Sequence, residues 1–472
     1  EERSVTWAEF HDRTLELARG LAELGIERGD RVAVLSKDRI EVLESYFALA
    51  RLGALFVPLN HSLAEPEVAG IIERVGAVAV IGESELLDRH PELPASVRIR
   101  LALDKPAFEA LGTLAAERDL PEVADTDPIA VLHTSATTGQ AKGVTVDSGS
   151  FRAIALGWLV MARPTDDIVM VNCCPLYHGS MVVSLTYLAA GATVVLMPGF
   201  TPQRALTAVE RHRATHMWLV PQMLRFMLQA KASHRTDLSC QREILYGAAP
   251  MPLDVYADAV ERLGCGFRQV YGMTEVGGAF VTLGPDEHPA PGDVTARIPC
   301  GRVVPGMSAR AVDGGGRELP PGEIGEIVVR GPGVMRGYWN DPQATREITL
   351  DGWIRTGDLG FMDDEGRISL VDRTKDVIIR AGQNVYPSEI ERALLTHPAV
   401  RDAAVVGMPD EDYGEVPLAY VVPEPGAETG AAALLGHVKG LLAPYKWPRR
   451  VEFIEQVPRN PAGKIVKKLL RA

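Results

Sequence analysis

An α/β fold with a large N-terminal domain and a small α+β C-terminal domain is what this 472-residue sequence predicts. Three observations carry that reading. Helical and strand patterns alternate over the first 280 residues, which implies mostly parallel sheets covered by helices. From about residue 290 the texture becomes rich in Gly and Pro with short β runs, as in a small β subdomain extending to about 372. The last hundred residues then mix two helices with strands of their own.

Taken in order, "WAEFHDRTLELARGLAEL" has helical spacing and "DRVAVLS" reads as a buried strand. "EVLESYFALARLGA" is helical again, followed by the strand "LFVPLN". Further on, "DIVMVNCC", "ATVVLM", "THMWLV", "EILYGA" and "FRQVYG" are strands separated by helix-length segments. The stretch "GRVVPGMSARAVDGGGRELPPGEIGEIVVRGPGVMRGYW" supplies the Gly/Pro-rich β region. "PSEIERALLTH" and "AAALLGHVKGLLA" are the C-terminal helices, with "DAAVVGMP" and "LAYVVPE" as strands between them. There is no internal repeat, heptad run or low-complexity linker.

Composition narrows the function classes. A net charge of −13 argues against a general nucleic-acid or anionic-membrane surface. No apolar run approaches the roughly 20 residues that span a bilayer. The sequence opens on "EERSVTW" rather than on methionine, which leaves room for a start further upstream. Cys173, Cys174, Cys240, Cys265 and Cys300 show no metal-binding spacing and are odd in number, as expected of reduced thiols in a cytoplasm. Only ten of the 49 basic residues are lysine, so a lysine inside a special segment marks a place where a compact point charge is wanted.

One such place is "TSATTGQAKG", between the strands "PIAVL" and "GVTVD". Small residues let backbone N–H groups face phosphate oxygens, and hydroxyls with a cation complete the cradle. Thr134, Ser135, Thr137, Thr138, Gly139, Lys142 and Gly143 provide these parts. A Walker A loop would continue from GKS or GKT into a helix, whereas Lys142 is followed by Gly143 and a strand. An ordinary P-loop NTPase is thereby disfavoured; the plain structural alternative is a polar surface hairpin.

This loop is similar to the signature YTSGTTGxPKGV of the adenylate-forming superfamily, which takes in acyl-CoA synthetases, firefly luciferase and peptide-synthetase adenylation domains. Six further segments resemble that family's motifs in the family's order: "PLYHGS" (175–180), "YGAAP" (246–250), "YGMTE" (271–275), "GWIRTGDLG" (352–360), "DRTKDVIIRAGQNVYPSEIE" (372–391) and "NPAGKI" (460–465). The resemblance spans essentially the whole chain and is closest to acyl-CoA synthetases. It implies an enzyme that joins a carboxylic acid to ATP, releases pyrophosphate, and passes the acyl group from AMP to the thiol of coenzyme A.

The resemblance also implies roles. Tyr271 would stack on adenine beside Gly272 and Met273, Thr274 would touch the α-phosphate, and Glu275 would hold Mg²⁺, a hard cation suited to oxygen ligands. Asp358 would accept both ribose hydroxyls, with Arg373 adding a contact. Gly247, Ala248 and Ala249 would line the adenine and acyl pockets, where small residues allow close backbone approach. Lys464 would bridge the carboxylate and α-phosphate as charge gathers, and His178 would sit beside the acyl carboxylate. Read without the family, Lys464 is one of three lysines in "KIVKKLLR", a solvated helix face. Trp218, Gln222, Tyr246 and Gly277 would shape the acyl pocket. Residues 373–375 would be a hinge between domain 1–372 and domain 376–472, and the loop at Gly382 would line the thiol tunnel in a second orientation.

Two departures stand in the phosphate loop, where Ala136 replaces the family's Gly and Ala141 its Pro. Ala resists positive φ, and it does not stiffen a loop as Pro does. Such changes would weaken triphosphate binding by roughly 1–3 kcal/mol if the backbone at Ala136 is strained. The main expectation is therefore an ATP-dependent acyl-CoA ligase. The alternative is a non-adenylating acyltransferase that takes acyl-AMP from a partner enzyme. No carrier-type serine motif is seen after Lys464, so the expected acceptor thiol is coenzyme A or a separate acyl carrier protein.

Overall fold

The computed structural model describes residues 3–114, 119–134, 141–177, 179–291, 293, 298–459 and 465–471. The chain forms two compact units: one holds 1–296 with 303–307 and 330–348, and the other holds 297–302, 308–329 and 349–472.

The first unit contains two sheets. In one, the strands run in the order 337–338, 143–147, 128–133, 55–59, 31–35, 79–82, 99–102. The five strands from 128–133 to 99–102 are parallel, and the two at the other edge are antiparallel. Val32, Ala33, Phe56, Val57, Val80 and Ile81 are fully buried, as expected of strands covered on both faces. The second sheet runs 278–283, 266–273, 243–247, 216–219, 169–172, 193–196, parallel except for its 278–283 strand. Beyond 278–283 the chain continues the pairing through Val304, whose N–H donates to the Phe280 carbonyl at 2.8 Å.

Local chemistry explains the helices that matter for the site. Helix Ser148–Ala162 begins where Asp147 accepts the Ser150 N–H at 2.7 Å, an N-cap on an otherwise unpaired donor. Its Trp158 is completely buried and donates from Nε1 to the Ala279 carbonyl at 2.7 Å, which ties the helix to the second sheet. Helix Ser180–Ala189 is buried at every position from Ser180 to Tyr187. A helix buried on all sides lies inside a core, and Met181 and Leu185 join the core cluster that contains Phe56 and Ile129 of the first sheet.

The second unit also has two sheets. Strands 308–312, 325–330, 353–362 and 349–350 form one, with 368–373 paired on 353–362. Strands 383–385, 378–380, 414–423 and 400–410 form the other, with 450–453 added in parallel on 414–423. Helices Pro387–Leu395 and Ala431–Leu441 share a core with it built on Ile390, Leu394, Val405, Ala419, Leu434 and Val438.

The Gly/Pro-rich stretch expected as one β subdomain over 290–372 is divided in two. Residues 330–348 leave it because Gly337–Tyr338 pair with Val144–Thr145 at the edge of the first sheet. Short β runs carry no local sign of which sheet they will join, so pattern alone assigned them to their neighbours. Among the described residues no helix is long and apolar enough to cross a membrane.

Candidate active site

The strands flanking the predicted phosphate loop pair as a hairpin, 128–133 with 143–147. Its neck is closed by the Thr134 N–H donating to the Lys142 carbonyl at 3.1 Å and the Lys142 N–H reaching Thr134 Oγ1 at 3.4 Å. Ser135, Ala136, Thr137, Thr138 and Gly139 lie outside the described residues, as do His178 and Lys464.

Lys142 is exposed, and its Nζ sits 4.8 Å from the centre of the Tyr338 ring, a cation–π distance. The same tyrosine donates its hydroxyl to Glu275 Oε1 at 2.8 Å. One aromatic side chain thus bridges the lysine at the loop neck and the buried carboxylate of "YGMTE". Burial, then the Glu275 carboxylate, pushes the Tyr338 phenol far above its ordinary pKa, so it stays a donor. The Glu275 backbone is fixed as well: its carbonyl accepts the Met335 N–H at 2.9 Å.

Tyr271 and Gly272 end the 266–273 strand, with the Tyr271 ring 5.2 Å from Phe280. The strand pairs with 278–283 through an irregular register at this point. A Cβ on Gly272 would fall 2.0 Å from the Gly278 carbonyl oxygen, so only glycine allows that approach. Met273 completes the strand, and Thr274 opens a single 3-10 turn that carries Glu275. Gly277 follows at φ +64, closing the turn with its N–H on the Thr274 carbonyl at 3.1 Å.

"YGAAP" lies alongside. Gly247 is the register partner of Val270, and a Cβ there would meet the Val270 carbonyl at 2.4 Å and the Trp218 indole at 3.2 Å. Ala248 holds φ +66, a conformation an L side chain resists, and such strain collects at ligand-binding turns. Ala249 is half-buried beside it. Tyr246 is fully buried, its hydroxyl 3.0 Å from Gln269 Oε1 and 2.9 Å from His288 Nε2. It stands behind the turn as a fixed wall. Trp218 is buried on the neighbouring strand, and Gln222 is half-buried in the first turn of helix Pro221–Gln229.

In the second unit, Asp358 is buried and pairs with Arg373 Nε at 2.7 Å across adjacent strands. A carboxylate oriented by a guanidinium and able only to accept is suited to a diol. Ala381 and Gly382, at φ +48 and +78, turn the hairpin between 378–380 and 383–385. Two consecutive positive φ values are the requirement of a type I′ turn. Arg459 and Ile465, on either side of 460–464, form an antiparallel bridge. Lys467 is not on a solvated face: it is nearly buried and pairs with Glu391 at 2.9 Å.

A divalent cation fits these residues in one way. Among the described residues no three His, Cys, Asp or Glu side chains cluster as ligands. Glu275 would be a single protein oxygen, with the rest of the shell from phosphates and water, as magnesium accepts. Sequence reasoning missed Tyr338, Gln269 and His288. Tyr338 lies 63 positions from Glu275 in a stretch with no periodic signal, so only folding reveals it.

Comparison with known proteins places this arrangement. Residues 1–339 match the family described as AMP-binding enzyme, and 389–464 match the AMP-binding enzyme C-terminal domain. The chain is 37% identical over 466 residues to a feruloyl-CoA synthase of an Amycolatopsis species, covering 98% of this chain and 93% of that protein. It is 36% identical over 481 residues to a fatty acid–[acyl-carrier-protein] ligase, ScoC, of Streptomyces coeruleorubidus, covering 100% and 92%. The crystal structure of ATP-bound MatB from Rhodopseudomonas palustris superposes with a TM-score of 0.92 at 32% identity, over 99% of this chain and 93% of that one. From the motifs, the two-sheet first unit and these matches together, the chain belongs to the AMP-binding enzyme family, the adenylate-forming superfamily.

Proposed function

We propose that Lys142, Thr274, Glu275, Asp358, Arg373, His178 and Lys464 carry out an ATP-dependent ligation of a carboxylic acid to coenzyme A. The activity is that of an acyl-CoA synthetase acting through acyl-AMP. In the first step a carboxylate oxygen attacks the α-phosphorus, a P–O bond forms, and the bond to pyrophosphate breaks. Lys142 and the loop N–H groups hold the β- and γ-oxygens, while Thr274 and Lys464 stabilise charge gathering at the α-phosphate. Magnesium on Glu275 would neutralise phosphate charge during this step. In the second step the thiolate of coenzyme A attacks the acyl carbon and AMP departs with the bonding electron pair.

The observation that supports this reading best is the bridge Lys142–Tyr338–Glu275, which brings the lysine at the loop neck and the buried carboxylate of "YGMTE" to one tyrosine. Asp358 with Arg373 serves the ribose, Gly247, Ala248 and Ala249 serve the adenine, and Trp218, Gln222, Tyr246 and Gly277 the acid. A hinge at 373–375 would exchange Lys464 for the Gly382 turn between the two steps. The likeness to an acyl-carrier-protein ligase supports a second acceptor, the thiol of a separate carrier protein. Five unbridged cysteines agree with a cytoplasmic setting.

The test is calorimetric binding of MgATP, beside AMP, to the wild type and to the double variant Ala136→Gly/Ala141→Pro. Wild-type binding within a few-fold of the variant is expected. Binding of AMP alone, with ATP binding restored by the substitutions, would refute adenylation by this chain and make it an acceptor of ready-made acyl-AMP.

A further inference from the structure

Three buried polar groups beside the proposed acyl site have no hydrogen-bond partner among the described residues: Trp218 Nε1, Asn172 Nδ2 and Ser184 Oγ. They are not scattered. Asn172 and Trp218 are register partners on adjacent parallel strands, so their side chains stand about 5 Å apart on one face of the sheet. His216, two residues before Trp218 on that same face, lies 5.8 Å ring to ring from Tyr187. Helix Ser180–Ala189 therefore covers this face, and Ser184 is one turn before Tyr187 on the side turned to it. Both strands end here, at Asn172 and Leu219, where open parallel sheets bind their ligands. Gly247 of "YGAAP" lies against the Trp218 indole at the same ends.

Buried donors without acceptors are costly to fold around, and their retention points to an acceptor that arrives later. The chemistry of the set is specific. An indole N–H only donates, and the Asn172 amide has its oxygen already engaged by the Cys174 N–H at 3.0 Å, which leaves the NH₂ to donate. Among the described residues no unpaired cation accompanies them on this face. Arg268 is paired with Glu243 at 2.7 Å, and burial lowers His216 to about 4, so that ring is neutral.

We propose that Trp218, Asn172 and Ser184 form a donor-lined floor of the acyl pocket. It selects monocarboxylic acids with a neutral hydrogen-bond-accepting oxygen, such as an ether, hydroxyl or ketone, at the end remote from the carboxylate. This rests on the ligase reading above. An acid ending in a plain hydrocarbon leaves the three donors unpaired, and a second carboxylate would enter a site without a counter-charge.

The experiment measures kcat/KM for acid-dependent pyrophosphate release with matched acid pairs, aryl-propenoic and straight-chain. Each pair differs by one remote ether oxygen replaced by CH₂. The oxygen-bearing member is expected to be preferred by about tenfold or more. Ser184→Ala, which removes one oxygen atom within a helix, and Trp218→Phe should each bring that ratio toward one. A changed ratio, rather than a rate lowered equally for both members, is what a merely structural role would not produce. Equal use of both members by the wild type, or ratios untouched in both variants, would overturn the inference while leaving the ligase reading intact. Release of no pyrophosphate with any acid would overturn both.

Discussion

Asp38 offers a perturbation whose size follows from the structure. Its carboxyl is buried beside Leu176 and Tyr177 of the "PLYH" segment, and its Oδ1 accepts the Leu176 N–H at 2.9 Å. Burial, only partly offset by that hydrogen bond, lifts it from 3.8 to about 7. A carboxyl raised in the folded state gives its stability fully below the unfolded value and loses it as pH rises through the folded one. The loss amounts to about 4 kcal/mol in all, of which about 2.7 kcal/mol falls between pH 5 and 7, at 1.36 kcal/mol per pH unit. Asp38→Asn keeps the oxygen that accepts from Leu176 and removes the charge. The assay is thermal unfolding of nucleotide-free wild type and variant from pH 5 to 8.5. For a unit of this size about 1.5 °C accompanies each kcal/mol, so the variant should gain roughly 4 °C on the wild type between pH 5 and 7 and level off above. A difference independent of pH would refute the claim that this carboxylate is ionised at a desolvation cost. A difference of the opposite sign would show that its charge has a partner.

Tyr338→Phe keeps the ring under Lys142 but deprives Glu275 of its phenol donor. The nucleotide-free protein should lose about 1–2 kcal/mol, and MgATP should bind several-fold more weakly than to the wild type while AMP affinity changes less; unchanged calorimetric affinity for both would remove Tyr338 from the site. Ala381→Gly relieves a positive φ in the turn beside Gly382. It should stabilise the second unit by about 1 kcal/mol, read as a higher unfolding temperature.

Much of the fold was legible because its signals are local. The buried strands 31–35, 55–59 and 216–219 are continuous apolar runs, and helices Trp7–Glu23 and Pro387–Leu395 carry their own periodicity and N-terminal signals. The motif residues were legible for a related reason: Gly272, Gly277 and Gly382 stand where the backbone tolerates no other side chain or turns through positive φ. Those demands are written one residue at a time, and so the sequence by itself determined the fold class and the backbone turns of its motifs. Tertiary structure alone decided which distant groups share a partner. Tyr338 reaches Glu275 only because Gly337–Tyr338 add to a sheet edge formed two hundred residues earlier in the chain. Asn172 and Ser184 look like ordinary core positions in sequence, and for Trp218 the family resemblance implied a place in the acyl pocket but no unpaired donor. Their missing hydrogen bonds become visible only when strand register and helix packing put every neighbour in place, since an unpaired donor is a property of its surroundings and not of the residue.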